Sequence, residues 1–277
     1  MNTRVSSRSL DVAVVAQKAE ALGFESLWLP EHGVMPVHVT TRYQGSADGR
    51  IPPSMSDIGD PFIGLARASA VTTTLKLGTG ICLVPEHNPL LLAKEIATLD
   101  HLSNGRFLFG IGAGWLREET EIMGGNFPHR WGQTREAIQV MKELWTKDEA
   151  EFHGEFYDFP PVRSAPKPHQ KPHPPIFLGG AAKNVFKRVM AWGDGWMPTR
   201  ATPEDIKRGR ATLGELAAAA GRDPHSIEIT VYGEAGDPDM LKRFEDAGAD
   251  RVIVRLQTTE GDAALADLER MAERLIS

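Results

Sequence analysis

The chain has 277 residues, of which 41% are hydrophobic and 25% are charged, and its formal net charge is −6. This composition is typical of a globular protein, and since no run of lysines and arginines stands out, it argues against nucleic-acid binding or a polybasic membrane patch. The chain begins with a polar segment and contains no apolar run near the ~20 residues of a membrane span, so we expect a soluble cytoplasmic protein. It has a single cysteine, Cys82, which excludes a disulfide within the chain and is typical of a reducing compartment.

The first predicted elements are a helix and a short strand. Apolar residues at helical spacing predict a helix over Leu10–Leu22, with Ser9 as its N-cap and Gly23 as its end. The apolar run Ser26–Leu29 predicts a buried strand, which leads into a Pro-Glu-His sequence at positions 30–32.

A long loop follows this strand. Residues 33–59 show no steady hydrophobic period, and a loop of this length inside a compact domain is usually functional or mobile. Asp60 and Pro61 then form a cap-plus-proline start that predicts a helix to about Thr73.

The centre of the chain predicts a parallel unit of two strands joined by a crossover helix. Its elements are the strand Lys76–Leu83, the helix Pro89–Leu102 and the strand Arg106–Gly112. Glycine clusters at 78–80 and 110–114 lie at the carboxyl ends of these strands, where parallel sheets bind ligands. Glycine there allows close approach to a flat or phosphorylated ligand, although either cluster alone is equally well explained as a tight turn.

The remaining elements continue this alternation. They are a helix at Gln133–Trp145, a hairpin at Phe152–Tyr157, an extended loop at 160–175, a strand at Ile176–Leu178, a helix at Ala181–Ala191, a strand at Trp196–Met197, a helix from Thr202, a strand at 227–231, a helix from Asp237 to Gly248, a strand at Val252–Val254 and a helix at Gly261–Ile276.

This repeating pattern predicts one α/β domain over residues 1–277, a TIM (β/α)8 barrel. The order of helix end, glycine, short link and apolar strand recurs near residues 21, 191 and 247. Seven strands are identified, whereas a TIM barrel has eight. The first is missing, so either Met1–Ser7 forms a poor strand or the barrel is incomplete.

Several motifs have a structural and a functional interpretation. Gly110–Trp115 lacks the third glycine of a dinucleotide fingerprint. Gly179 and Gly180 follow a strand and precede a predicted helix, an arrangement that favours phosphate binding. His169 and His173 have no matching Cys or acidic ligand pattern, so no metal site is predicted, and Cys82 is interpreted as a core residue.

Six segments taken together resemble the bacterial-luciferase-like superfamily. They are Leu27–His32, Leu77–Ile81, Ala93–Arg106, Gly110–Glu119, Pro174–Gly180 and Gly193–Trp196. Within that superfamily they are most similar to the oxidoreductases that use the deazaflavin coenzyme F420. The resemblance implies a TIM barrel with the cofactor across its C-terminal mouth. It also shows a departure, because the family has a first strand before residue 10.

The resemblance also implies roles for individual residues. His32 would be the catalytic residue beside the reactive face of the deazaflavin, with Glu31 next to it, and Trp115 would face the substrate. Without the resemblance, His32 is better explained as a hydrogen-bonded loop histidine than as a catalytic residue. Three backbone segments would hold the cofactor: Thr79, Gly80 and Ile81 behind the ring, with a cis Gly80–Ile81 peptide; Gly112, Ala113 and Gly114 along the tail; and Gly179, Gly180 and Ala181 at the phosphate.

These implications predict an oxidoreductase that transfers a hydride between F420 and a small organic substrate. The first alternative is an FMN-dependent monooxygenase of the same superfamily. The second is a barrel that binds a flavin or deazaflavin without turnover. A homodimer is a family expectation only.

Overall fold

A computed structural model describes residues 1–276. The strands are β1 (Ser26–Leu29), β2 (Lys76–Thr79), β3 (Cys82–Leu83), β4 (Phe107–Gly112), β5 (Ala150–His153), β6 (Asp158–Val162), β7 (Ile176–Gly179), β8 (Gly195–Met197), β9 (Glu228–Glu234) and β10 (Arg251–Val254). The helices are α1 (Val12–Ala21), α2 (Pro61–Ser69), α3 (Pro89–Leu102), α4 (Arg117–Ile122), α5 (Arg130–Thr146), α6 (Val185–Trp192), α7 (Pro203–Ala219), α8 (Pro238–Asp246) and α9 (Gly261–Leu275).

The strands form a parallel sheet that is nearly closed as a barrel. Within the described residues, seven strands lie side by side in the order β1, β2, β4, β7, β8, β9, β10, and each neighbouring pair is parallel. The short β3 adds to β4, and β5 and β6 form a separate antiparallel hairpin. The predicted TIM-like barrel is confirmed.

The seam of the barrel lies between β1 and β10 and is spanned by Met1–Thr3. Asn2 forms an isolated parallel bridge to each edge strand. The backbone N–H of Asn2 donates to the Val254 carbonyl at 2.8 Å, and that of Thr3 donates to the Trp28 carbonyl at 3.1 Å. Met1–Thr3 thus lie where the missing first strand was expected, but they form isolated bridges rather than a strand, so the seven-stranded sheet is nearly closed and its seam stays unsealed.

Several predicted element boundaries were wrong, among them the end of α2, which is Ser69 rather than about Thr73, and three of them have a clear local cause. The strand predicted over Lys76–Leu83 is interrupted after β2, where the Gly80–Ile81 peptide is cis, as the resemblance implied. Helix α1 begins at Val12 because the carboxylate of Asp11, rather than the Ser9 hydroxyl, accepts a hydrogen bond from Ala13 N.

The third wrong boundary is the start of α6. The helix begins at Val185, not at Ala181, because the chain turns at Gly180 (φ +99°) and passes through a further turn before the helix. Helix α4 was not predicted at all, because its six residues are too few to show a hydrophobic period.

Large side chains fill the barrel interior. The Trp28 and Phe177 rings meet edge to face with centroids 6.2 Å apart, and the buried guanidinium of Arg251 lies about 6 Å from both rings. A Cβ at Gly78 would lie 2.2 Å from the Trp28 ring, and one at Gly110 would lie 2.1 Å from the Thr79 carbonyl oxygen. The glycines inside the strands are therefore required by interior packing.

No helix among residues 1–276 combines the length and the apolar character that crossing a membrane requires. The cytoplasmic location stays a prediction.

Two glycines of α7 provide a matched pair of substitutions. A Cβ at Gly209 would lie 2.4 Å from the buried Trp196 ring, whereas a Cβ at Gly214 would have no neighbour within 4 Å. We expect Gly214→Ala to raise the free energy of unfolding by about 0.5–1 kcal/mol through helix propensity. Gly209→Ala should lower it by about 1–3 kcal/mol through overpacking. Urea denaturation measures both, and equal stabilisation would contradict the packing described for Trp196.

Candidate active site

A cavity of about 470 Å³ lies at the carboxyl ends of the barrel strands. It brings together ten of the residues selected from the sequence: Glu31, His32, Gly80, Ile81, Gly112, Ala113, Gly114, Trp115, Gly179 and Gly180. Thr79 is buried behind the wall, where its hydroxyl donates to the Gly110 carbonyl at 2.7 Å. Ala181 lies in a neighbouring surface depression instead. The cofactor roles of these residues stay predictions.

Ile81 forms an apolar platform on one wall of the cavity. A Cβ at Gly112 would lie 2.0 Å from Ile81 Cδ1, and a Cβ at Gly179 would lie 3.3 Å from the same atom. The Ile81 side chain therefore covers the ends of β4 and β7, and these glycines make room for it. The earlier interpretation, that Gly112 leaves space for a ligand, needs this correction, because the neighbouring isoleucine occupies that space.

His32 is held by a buried carboxylate. Its Nδ1 lies 2.7 Å from Glu119 Oε2, and the side chains of His32 and Glu119 are 9% and 1% exposed. Because a carboxylate accepts hydrogen bonds, this contact places the proton on Nδ1 and leaves Nε2 free for a ligand. The Trp115 ring stands edge-on to the imidazole, with centroids 6.0 Å apart.

Glu31 connects two segments that border the cavity through hydrogen bonds. Its carboxylate accepts hydrogen bonds from Leu83 N and from His87 Nε2, the latter at 2.9 Å. Burial alone would lower the pKa of His87, but the hydrogen bond and the charge of Glu31 outweigh burial and raise it. Glu31 thus fixes β3 against the end of β1.

Glu31, His87 and Cys82 place their ligand atoms within 4.8 Å of one another. Burial, followed by the charge of Glu31, raises the pKa of the Cys82 thiol well above its usual value. The thiol is therefore protonated in this arrangement, and the carboxylate of Glu31 already accepts hydrogen bonds from Leu83 N and His87 Nε2. We interpret the cluster as a hydrogen-bonded support.

Glu86 is a second buried acid behind the wall at Gly114. Its Oε1 lies 2.9 Å from Thr120 Oγ1, which is also 3.1 Å from the Leu116 carbonyl oxygen. A hydroxyl has one hydrogen, so Thr120 Oγ1 donates either to Glu86 Oε1 or to the Leu116 carbonyl oxygen. Burial first, and then repulsion from Glu119, raise the pKa of Glu86 to about 8. Glu86 is therefore a neutral acid at pH 7.

The long loop after β1 covers the mouth of the cavity. Tyr43 of this loop packs on Trp115 with ring centroids 5.2 Å apart. The carboxylate of Glu118 accepts hydrogen bonds from the backbone N–H and the hydroxyl of both Thr40 and Thr41. Although desolvation acts in the opposite direction, these hydrogen bonds lower the pKa of Glu118 to about 2.

The far wall was not found from the sequence. It contains residues from the loop after β1, the start of α5 and the ends of β8, β9 and β10: Tyr43, Met55, Trp131, Met197, Thr199, Arg200, Tyr232, Gly233, Glu234 and Arg255. The sequence signal for most of them was their position just after predicted strands, the place where barrel enzymes carry their sites.

Comparison with known sequences finds one matching family and several relatives. The profile of the luciferase-like monooxygenase family matches residues 7–235. An uncharacterized protein of Mycobacterium tuberculosis is 38% identical over 276 residues, covering 98% of this chain and 95% of that protein. The F420-dependent glucose-6-phosphate dehydrogenase of Kineococcus radiotolerans is 30% identical over 227 residues, covering 79% and 62%. The FMNH(2)-dependent dimethylsulfone monooxygenase of Pseudomonas putida is 34% identical over 168 residues, covering 58% and 44%.

Solved structures show the same architecture. The coenzyme F420-dependent tetrahydromethanopterin reductase of Methanopyrus kandleri superposes with a TM-score of 0.77 at 17% identity, covering 100% of this chain and 97% of that one. A monooxygenase of Streptomyces bottropensis superposes with a TM-score of 0.76 at 21% identity, covering 96% and 92%. At these identities the likeness establishes the fold alone.

The protonation of Glu86 generates a testable pH dependence. The folded protein holds this proton up to about pH 8, whereas an ordinary glutamic acid has a pKa of 4.5. The stabilisation is therefore complete below pH 4.5 and is lost as the pH rises through about 8. Between these limits we expect the free energy of unfolding of wild type to fall by on the order of 4 kcal/mol relative to that of Glu86→Gln, because the glutamine side chain stays neutral.

Chemical denaturation of wild type and Glu86→Gln across this pH range measures the difference. Every other titrating group is common to both proteins, so the difference isolates Glu86. Parallel stability curves would show that Glu86 is ionised in the folded state.

Proposed function

The chain belongs to the luciferase-like monooxygenase family, and we propose that it is an oxidoreductase that transfers a hydride between the deazaflavin coenzyme F420 and a small organic substrate. The observation that carries this proposal is the His32–Glu119 pair, which stands at the edge of a cavity with an apolar platform. A proton-transfer group beside a flat apolar surface is what a hydride transfer to or from a ring requires.

The residues present fit such a ring. The cavity volume lies within the usual range of cofactor sites, about 300–1,000 Å³. Ile81 and the backbone at 112–114 form an apolar wall, and His32 lies across the same cavity. The F420-dependent relative from Kineococcus radiotolerans aligns over 79% of this chain, which supports the choice of coenzyme.

When bound, F420 supplies or accepts a hydride at a ring carbon. His32 handles the accompanying proton: as an imidazolium, protonated at both nitrogens, it donates from Nε2 to the oxygen of a carbonyl substrate, and as the neutral Nδ1–H tautomer it accepts the proton of an alcohol at Nε2 in the reverse direction. Glu119 is a positioning residue, because its contact with Nδ1 fixes the tautomer and stabilises the charged imidazolium. Trp115 stands edge-on to the imidazole and Tyr43 packs on Trp115, and the His32 side chain is only 9% exposed to water.

The second candidate is an FMN-dependent monooxygenase. The FMNH(2)-dependent relative from Pseudomonas putida supports it, since it is 34% identical over the part it matches, and a flavin ring suits the same apolar platform. A binding protein without turnover is the third candidate. Its main argument was the missing first strand, and only isolated bridges at Met1–Thr3 take the place of that strand.

Equilibrium binding separates the two coenzymes. We expect the purified protein to bind oxidised F420 more tightly than FMN in parallel fluorescence titrations. Tighter binding of FMN would favour monooxygenase chemistry instead. If neither binds while circular dichroism shows a folded protein, both enzymatic proposals fail.

Replacement of His32 tests catalysis separately from binding. We expect His32→Gln to lower kcat by about 10²–10⁴, because it removes the proton donor, while the affinity for oxidised F420 stays close to that of wild type. The rate is followed by deazaflavin absorbance with a panel of small alcohols that begins with 2-propanol. His101→Gln is the control, since His101 is exposed on α3 and outside the cavity.

An unchanged kcat in His32→Gln would contradict the proton-transfer role. Equal losses of rate and of coenzyme affinity would assign His32 to binding alone.

A further inference from the structure

Two carboxylate oxygens behind the cavity wall are buried and have no hydrogen-bond partner among the described residues. They are Glu86 Oε2 and Glu119 Oε1. The second oxygen of each acid is held, since Glu119 Oε2 lies 2.7 Å from His32 Nδ1 and Glu86 Oε1 lies 2.9 Å from Thr120 Oγ1. A buried polar atom without a partner is costly, so we expect both oxygens to take part in a further hydrogen bond. We call Glu86 and Glu119 the acid pair.

The acid pair converges on one turn of α4. Glu119 and Thr120 are consecutive residues of this helix, so the contact with Thr120 brings the Glu86 carboxyl group next to Glu119. Glu86 itself ends the short 3-10 turn Val84–Glu86. It lies directly behind the cavity wall, because a Cβ at Gly114 would lie 3.3 Å from Glu86 Oε1. Glu86 is 7% exposed and Glu119 is 1% exposed, so bulk water does not satisfy either acid.

One proton on the acid pair satisfies both oxygens. An ionised carboxylate only accepts hydrogen bonds, whereas a carboxylic acid also donates one. Burial and the charge of Glu119 raise the pKa of Glu86 to about 8, so Glu86 holds this proton. A proton on Glu86 Oε2 makes that atom a donor, and Glu119 Oε1 is a buried acceptor on the neighbouring acid. Glu119 then keeps the charge that accepts the Nδ1–H of His32.

The other titratable groups around Glu86 are already engaged. They come from the end of β1, from β3 and the segment after it, and from α4, and they are Glu31, Cys82, His87 and Glu119. His87, the one base in this set, contacts Glu31 through Nε2 at 2.9 Å, and the Cys82 thiol also interacts with Glu31. Glu119 is therefore the member of the set with a buried oxygen left to accept the proton of Glu86.

We propose that Glu86 is a positioning residue for His32: as a neutral acid it donates a hydrogen bond from Oε2 to Glu119 Oε1, directly or through one buried water, and so holds Glu119 in place as the acceptor of the imidazole Nδ1–H. Its catalytic consequence rests on the proposed function, in which His32 transfers the proton. Ionisation of Glu86 removes the donor and adds a like charge beside Glu119, so the two carboxylates repel and the contact at Nδ1 weakens. The imidazole then adopts the Nε2–H tautomer, which has no lone pair facing the cavity.

The tautomer of His32 is the direct test, because it requires neither coenzyme nor turnover. NMR with histidine-selective ¹⁵N labelling distinguishes Nδ1–H from Nε2–H, and comparison with His32→Gln identifies the signals of His32 among the nine histidines. In wild type we expect the Nδ1–H signal to disappear as the pH rises through about 8, where Glu86 ionises. Glu86→Gln should keep this signal across the same range, because its amide stays neutral and still donates.

A substitution without a donor extends the test to catalysis. We expect Glu86→Leu to lose the Nδ1–H signal at pH 7 and to lower kcat about tenfold, because one hydrogen bond to a charged group is lost. Glu86→Gln should recover most of this loss at pH 7 and should be faster than wild type above pH 8. Glu121→Gln is the matched control, since Glu121 is an exposed acid of the same helix that pairs with Arg117 and should change neither signal nor rate.

The outcomes distinguish this inference from the proposed function. An Nδ1–H signal that persists above pH 8 in wild type, or that is lost equally in wild type and Glu86→Gln, would overturn the role of Glu86. So would an unchanged signal in folded Glu86→Leu, and if that variant does not fold, wild type and Glu86→Gln decide alone. If the signal follows Glu86 as expected but the protein binds no coenzyme, the proposed function fails while the positioning of His32 stands.

Discussion

Crowding inside the barrel is the constraint on which the rest of the structure depends. Trp28 leaves no room for a methyl group at Gly78, Phe177 leaves none at Gly195, and the Thr79 carbonyl oxygen leaves none at Gly110. The space for a ligand therefore begins at the carboxyl ends of the strands, where the Ile81 side chain packs against a glycine. The glycine clusters are first a packing requirement, and the position of the cavity follows from that packing.

Two buried acids, Glu119 and Glu86, lie close together near His32. Burying an unpaired carboxylate is costly, so two neighbouring carboxylates are not both ionised. Glu119 has the imidazole of His32 as its partner, whereas Glu86 has only a hydroxyl and holds its proton. Because Glu86 is neutral, it adds no negative charge beside the contact between Glu119 and His32.

The sequence predicted the fold and one side of the site. Alternation of helix, glycine and apolar strand identified the barrel, and residues after early strands, such as His32, pointed to its mouth. The partner of His32 was not predictable, because Glu119 reaches it from a helix too short to show a period. The phosphate argument at Gly179–Gly180 assumed a helix that begins later, since glycine turns the chain before Val185.

The attachment of the long loop has a dynamic consequence. The segment at Thr40–Thr41 is bound to the barrel by one surface carboxylate, Glu118, with a further contact from Arg200 to the Gln44 carbonyl. The end of the loop is held as well, since Asp57 accepts hydrogen bonds from Ser7 and Gly59 N donates to the Val5 carbonyl. We therefore expect only the segment around Thr40–Gln44 to open at a free energy below that of the barrel, and hydrogen exchange at the amides of Thr40 and Thr41 to report each opening.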